Sequence, residues 1–173
     1  MVGAVRGLAG PGLERKFGGG VPASREDIMV DASPWRVAGI LEHTTSGQAL
    51  EFFADQLLPQ DEVIFGHKIC EASGQAVWEA LALLIALRLW AKFMKGRKVR
   101  LRVRSDSTAA LRLATRMASP TPELNGLGAE MARTLDLFQL EELFTEHVPG
   151  KRNVRGQGTI DKRNIAPIPP GRL

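Results

Sequence analysis

The segment from Gln75 to Met94 is a run of strong helix formers that is apolar nearly all round. A helix with so little polar face is normally central, packed against a sheet on one side and other elements on the rest. The run is therefore expected to be the core helix of a layered fold, with Ser73 as a helix cap. Its most apolar part, Ala80 to Leu87, ends at Arg88. That is far short of the roughly 20 residues that span a bilayer, so a soluble protein with no membrane partner is expected.

Strand signals flank this helix on both sides. Ile28-Met29-Val30 is a short apolar run closed by the turn-formers Asp31-Ala32-Ser33-Pro34, which predicts a strand ending at Asp31. Arg36 to Glu42 and Ala49 to Gln56 are two more strands, joined by Thr44-Thr45-Ser46-Gly47, so the first three are expected to form an antiparallel meander. Pro59 to Cys70 reads as a looser stretch. Lys98 to Arg104 alternates strictly, Val99, Leu101 and Val103 on one face and Lys98, Arg100, Arg102 and Arg104 on the other, as a strand with one wet, basic face does. Ser107 to Met117 has helical spacing, and a second helix is expected after Thr121-Pro122, weakened by Gly126 and Gly128. Leu143 to Val148 is the last strand, stopped by Pro149-Gly150. The order implies a mixed α/β fold.

At 173 residues with 44% hydrophobic content the chain fits one domain with tails. The expected division is a glycine-rich lead-in over 1–25, a domain over 26–154, and a patternless tail over 155–173. A net charge of +4 and a pI near 9.6 favour a polyanionic partner over a cationic one. The single cysteine, Cys70, excludes an internal disulfide, and no Cys/His cluster has zinc spacing. An intracellular location, cytoplasmic or nuclear, is expected, with Cys70 inert.

Three carboxylates stand out against this pattern. Asp31 ends an apolar strand, Glu79 lies inside the apolar helix, and Asp106 ends the basic strand. An unpaired carboxylate in such a helix costs several kcal/mol unless a cation or a proton compensates it. If the strand ends point the same way beneath the helix, the three acids meet, and such a cluster persists only around a cation. Oxygen ligands without histidine or thiolate favour Mg2+ or Mn2+ over zinc. Two such ions, roughly 4 Å apart, suit phosphodiester hydrolysis with the acids as ligands. Each acid also has an ordinary reading: Asp31 as a turn residue, Asp106 as a helix cap, and Glu79 paired with Arg88 or a lysine.

The segments Asp31-Ala32-Ser33-Pro34-Trp35, Trp78-Glu79-Ala80-Leu81-Ala82-Leu83, Arg104-Ser105-Asp106-Ser107 and His147-Val148-Pro149-Gly150-Lys151-Arg152-Asn153 occur in that order. Together they resemble the ribonuclease H domain that follows reverse transcriptase in retrotransposon polyproteins, from about Ile28 to Asn153. The resemblance implies an α/β ribonuclease H-like fold with a five-stranded mixed sheet. It also implies cleavage of the RNA strand of an RNA–DNA hybrid with two magnesium ions, beside a reverse transcriptase domain. Asp31, Glu79 and Asp106 match the family's first three metal-binding acids. Where the family has its fourth, an aspartate in an Ala-Asp pair, this chain has Gly156-Gln157. Gln157 offers an oxygen but no charge, which points to a second reading, an inactive module that still binds nucleic acid. Asp161 is a poor substitute, because Gly156, Gly158 and the prolines at 167, 169 and 170 oppose a helix there. The loss of pattern after Asn153 or Val154 is what a reading-frame slip produces.

Lys151, Arg152 and Arg155, with the basic strand face, are candidates for phosphate contacts, and Ser33 and Ser107 for further nucleic-acid contacts. His147 fits either product release or a strand end. Trp35, Trp78 and Trp90 are expected to be core or turn-packing residues. An unrelated α/β protein with structural acids is the remaining alternative; the mutual distance of the three carboxylates separates it from the others.

Overall fold

A computed structural model describes residues 24–149. The expected lead-in and tail fall almost wholly outside these residues, as do Lys151, Arg152, Arg155, Gln157 and Asp161. Five strands, β1 (Ser24–Ser33), β2 (Arg36–His43), β3 (Gln48–Gln56), β4 (Lys98–Ser105) and β5 (Gln139–His147), form one sheet in the order β3-β2-β1-β4-β5. The first three pair antiparallel and the β1–β4 and β4–β5 pairs are parallel, so the sheet is mixed as expected. Among the described residues four α-helices accompany it, α1 (Pro59–Phe65), α2 (Gln75–Met94), α3 (Thr108–Arg116) and α4 (Pro122–Leu135), with a short 3-10 turn over Ala72–Gly74 before α2.

The α2 helix is the core element. Trp78, Ala80, Leu83, Ala86, Trp90 and Met94 are fully buried, and the helix packs on β1 and β2 below and on α3 and α4 beside it. Ile28 and Val30 from β1 and Val99, Leu101 and Val103 from β4 supply the sheet side of the same cluster. This is the period-2 burial of strands with one face on a helical layer. Gly128, which seemed to weaken α4, permits its packing instead. A Cβ there would lie 2.8 Å from the Met117 carbonyl oxygen. No helix among the described residues is long and apolar enough to cross a membrane.

Three local expectations are corrected. The β1 strand continues past Asp31, because Ala32 and Ser33 pair with Val37 and Arg36 and only Pro34 and Trp35 turn the chain. Within Pro59–Cys70 lies α1, started by Pro59 and by Asp61 accepting from the Leu58 N–H at 2.7 Å, and ended at Gly66 with φ of 68°. It buries none of its residues, so it has no hydrophobic period to read. The arginine face of β4 is not freely solvated. Arg104 is 3.0 Å from Asp27 Oδ1 and 2.7 Å from Glu42 Oε2, and Arg102 also pairs with Asp27.

Candidate metal centre

The crossing of α2 over β1 and β4 sets the geometry of the site. Asp31 lies near the C-terminal end of β1, Asp106 directly follows β4, and these parallel neighbours point their C-terminal ends the same way. Glu79 descends onto them from the second turn of α2. One carboxylate oxygen from each of Asp31, Glu79 and Asp106 lies within 4.8 Å of the other two. The alternative in which the three acids lie apart is thereby excluded.

The ordinary readings of the individual acids fail as well. Asp31 sits within the strand, paired with Ala38, not in the turn. The cap of α3 is Ser107, whose Oγ accepts from the Ala110 N–H at 3.2 Å. Arg88 pairs with Glu130 and leaves Glu79 without it. Among the described residues no lysine, arginine or histidine forms an ion pair with any of the three acids.

Neutral groups hold Glu79 instead. Its Oε1 accepts from the Ala32 N–H at 3.2 Å and from Gln75 Nε2 at 3.0 Å, while Gln75 Nε2 also donates to the Ala32 carbonyl at 2.7 Å. Its Oε2 has one longer contact, with Ser105 Oγ at 3.5 Å, and that oxygen in turn accepts from the Ser107 N–H at 3.1 Å. Sequence reasoning missed Gln75 and Ser105. The signal for Gln75 was its place one helical turn before Glu79, which puts both on one face.

Electrostatics follow from this crowding. Burial first, then the charges of Asp106 and Asp31, raise the Glu79 pKa to about 8. Burial, then Asp106, raise that of Asp31 to about 6. The cluster is short of positive charge at neutral pH, and its donor set is all oxygen. That combination fits a hard divalent cation. The ligands would be Asp31, Glu79 through the less committed Oε2, and Asp106.

The other expected site residues are placed as follows. Ser33, at the end of β1, has a buried Oγ with no hydrogen-bond partner. Ser107 spends its acceptor on the α3 cap and keeps its O–H donor. His147 ends β5, and its Nε2–H donates to the Asp106 carbonyl at 3.0 Å. Of the three tryptophans expected in the core or at a turn, Trp78 and Trp90 are core residues and Trp35 is 54% exposed at the β1–β2 turn.

No protein-family model matches the sequence, and no curated protein matches it. Solved structures do. The N-terminal RNase H domain of Rv2228c from Mycobacterium tuberculosis, solved as a fusion with maltose-binding protein, is 16% identical with a TM-score of 0.57. The match covers 77% of this chain and 88% of that one. RNase H1 of the halophilic archaeon Halobacterium salinarum NRC-1 is 17% identical, with a TM-score of 0.53 over 76% and 89% of the two chains. LC11-RNase H1 from compost is 19% identical, with a TM-score of 0.56 over 77% and 90%. At these identities the likeness shows the fold, which is that of ribonuclease H domains.

Proposed function

We propose that this chain is a metal-dependent endonuclease of the ribonuclease H type, hydrolysing the RNA strand of RNA–DNA hybrids in the reverse transcription of a retrotransposon. The observation that carries this reading is the meeting of Asp31, Glu79 and Asp106 within 4.8 Å on a ribonuclease H-like fold. The site asks for positive charge that no described side chain supplies. A similar fold, LC11-RNase H1, has been solved in complex with an RNA/DNA hybrid.

In this reading Asp31, Glu79 and Asp106 are the metal ligands, for two Mg2+ or Mn2+ ions. When bound, such ions activate water for attack on a phosphodiester and stabilise the leaving oxygen. The chain's own residues do the positioning. Gln75 and the Ala32 N–H fix Glu79 Oε1, Oε2 keeps only the longer contact with Ser105 Oγ, and His147 holds the carbonyl of Asp106. Ser33 and Ser107, with Lys151 and Arg152 as phosphate contacts, are the proposed nucleic-acid contacts in this reading, although the Ser33 hydroxyl itself is buried. A reverse transcriptase domain is the expected neighbour.

A second reading is favoured by Gln157 standing at the fourth acid's position. It makes the chain an inactive module that still binds nucleic acid. Incubation with a labelled RNA–DNA hybrid, with Mg2+ or Mn2+ and with a chelator, separates the two. Cleavage lost with chelator and in Asp106→Asn supports the enzyme and shows that three acids suffice. Absence of cleavage by the wild type and by Gln157→Asp supports the inactive module.

A further inference from the structure

The tip of the β1–β2 hairpin carries a feature that packing does not explain. Trp35 is one of three tryptophans, and the other two are fully buried, each against a phenylalanine: Trp78 on Phe65 and Trp90 on Phe53. Trp35 has no ring partner among the described residues and leaves 54% of its surface in water. Yet its backbone is held on two sides. The Leu57 N–H donates to the Trp35 carbonyl at 2.9 Å, and the Cys70 N–H to the Pro34 carbonyl at 2.8 Å. The backbone that carries the indole is thus fixed, so a ligand that packs on it has only the side chain left to order.

The surroundings of the indole say what that ligand is. Arg36 follows it directly, and Lys68 lies in the loop tied to Pro34 through Cys70; both are exposed, and among the described residues neither has an ion-pair partner. Ser33 is two residues, about 7 Å of strand, beyond Asp31. An exposed aromatic ring on a turn that also carries Arg36 and is tied to the loop of Lys68 has the composition of a surface that tracks a nucleic-acid strand. Beside three carboxylates that repel phosphate, such cations also keep a polyanion within reach.

We propose that the hairpin tip is a nucleic-acid contact, with the Trp35 indole packed on a base or sugar face and Arg36 and Lys68 paired with phosphates. This rests on the reading of the chain as a nucleic-acid hydrolase or binding module and adds where the strand runs.

The test is a titration of the full chain with an end-labelled RNA–DNA hybrid, with magnesium and again with chelator, reading label anisotropy and tryptophan fluorescence together. Because Trp78 and Trp90 are buried, fluorescence change at saturation reports Trp35, and it should vanish in Trp35→Phe. Trp35→Ala should weaken binding about tenfold, while Trp35→Phe, which keeps a flat ring, retains most of the affinity. Arg36→Gln and Lys68→Gln should each lower the salt dependence of log K by about one. Wild-type affinity in Trp35→Ala, with its fold verified by circular dichroism, overturns this contact and leaves the functional reading intact. A hybrid that fails to bind the wild type in either buffer overturns both.

Discussion

Gln75 and Glu79, one helical turn apart on α2, are joined by a hydrogen bond of 3.0 Å from the Gln75 amide to Glu79 Oε1. The same amide nitrogen reaches the Ala32 carbonyl at 2.7 Å and so ties the start of α2 to β1. One oxygen of Glu79 is thereby held by neutral donors, and the other has only the 3.5 Å contact with Ser105 Oγ.

Removing that amide should loosen the ligand without removing it. Gln75→Ala is expected to weaken divalent-ion affinity by roughly tenfold to a hundredfold, the usual effect of losing a group that orients a ligand. Manganese titration followed by electron paramagnetic resonance reads this directly, and unchanged affinity would deny Gln75 the role.

The metal-free protein should lose stability as pH rises. The Glu79 pKa goes from 4.5 in the unfolded chain to about 8 in the folded one. Between those values the native state holds a proton that the unfolded state has released. Stability therefore falls with pH across that window, by about 1.4 kcal/mol per pH unit at most for this one group. Asp31, raised from 3.8 to about 6, adds to the fall over the lower part of the window. Thermal melts in chelator from pH 5 to 8 should show the decline. Glu79→Gln should flatten it, and Mg2+ should raise the melting temperature at pH 8 far more than at pH 5.

Two glycines of α4 should respond oppositely to alanine. At Gly126 a Cβ meets nothing within 4 Å, so Gly126→Ala should stabilise by up to about 1 kcal/mol through helix propensity. At Gly128 the Cβ would lie 2.8 Å from the Met117 carbonyl oxygen and 2.9 Å from Leu113 Cδ1, so Gly128→Ala should cost roughly 1–3 kcal/mol. Urea denaturation of both variants decides the sign.

Glu79 was the strongest of the three signals in the sequence, because a carboxylate between Trp78 and Ala80 in an apolar helix needs a compensating partner, whether Arg88, a lysine or a cation. Asp31 and Asp106 were weaker signals taken singly, since a carboxylate after a strand also suits a turn or a cap, and motif order joined them to Glu79. The sheet and the core helix were legible from periodicity, as Val99, Leu101 and Val103 show. What stayed hidden has no periodicity to display. The α1 helix buries nothing, and Gln75 and Ser105 look like ordinary polar residues at element ends until the fold brings them to Glu79. Trp35 was expected in the core or at a turn, and its exposure became visible only with its place on the β1–β2 turn. The cations of β4 misled, because Asp27 and Glu42, which neutralise Arg102 and Arg104, come from other strands.

The most direct test of the three-acid centre is a titration of the metal-free full chain with Mn2+ at pH 8, beside Asp31→Asn, Glu79→Gln and Asp106→Asn. Saturable binding by the wild type that is lost or strongly weakened in each variant is the predicted result. No binding up to millimolar Mn2+, or binding that all three substitutions leave unchanged, would contradict it.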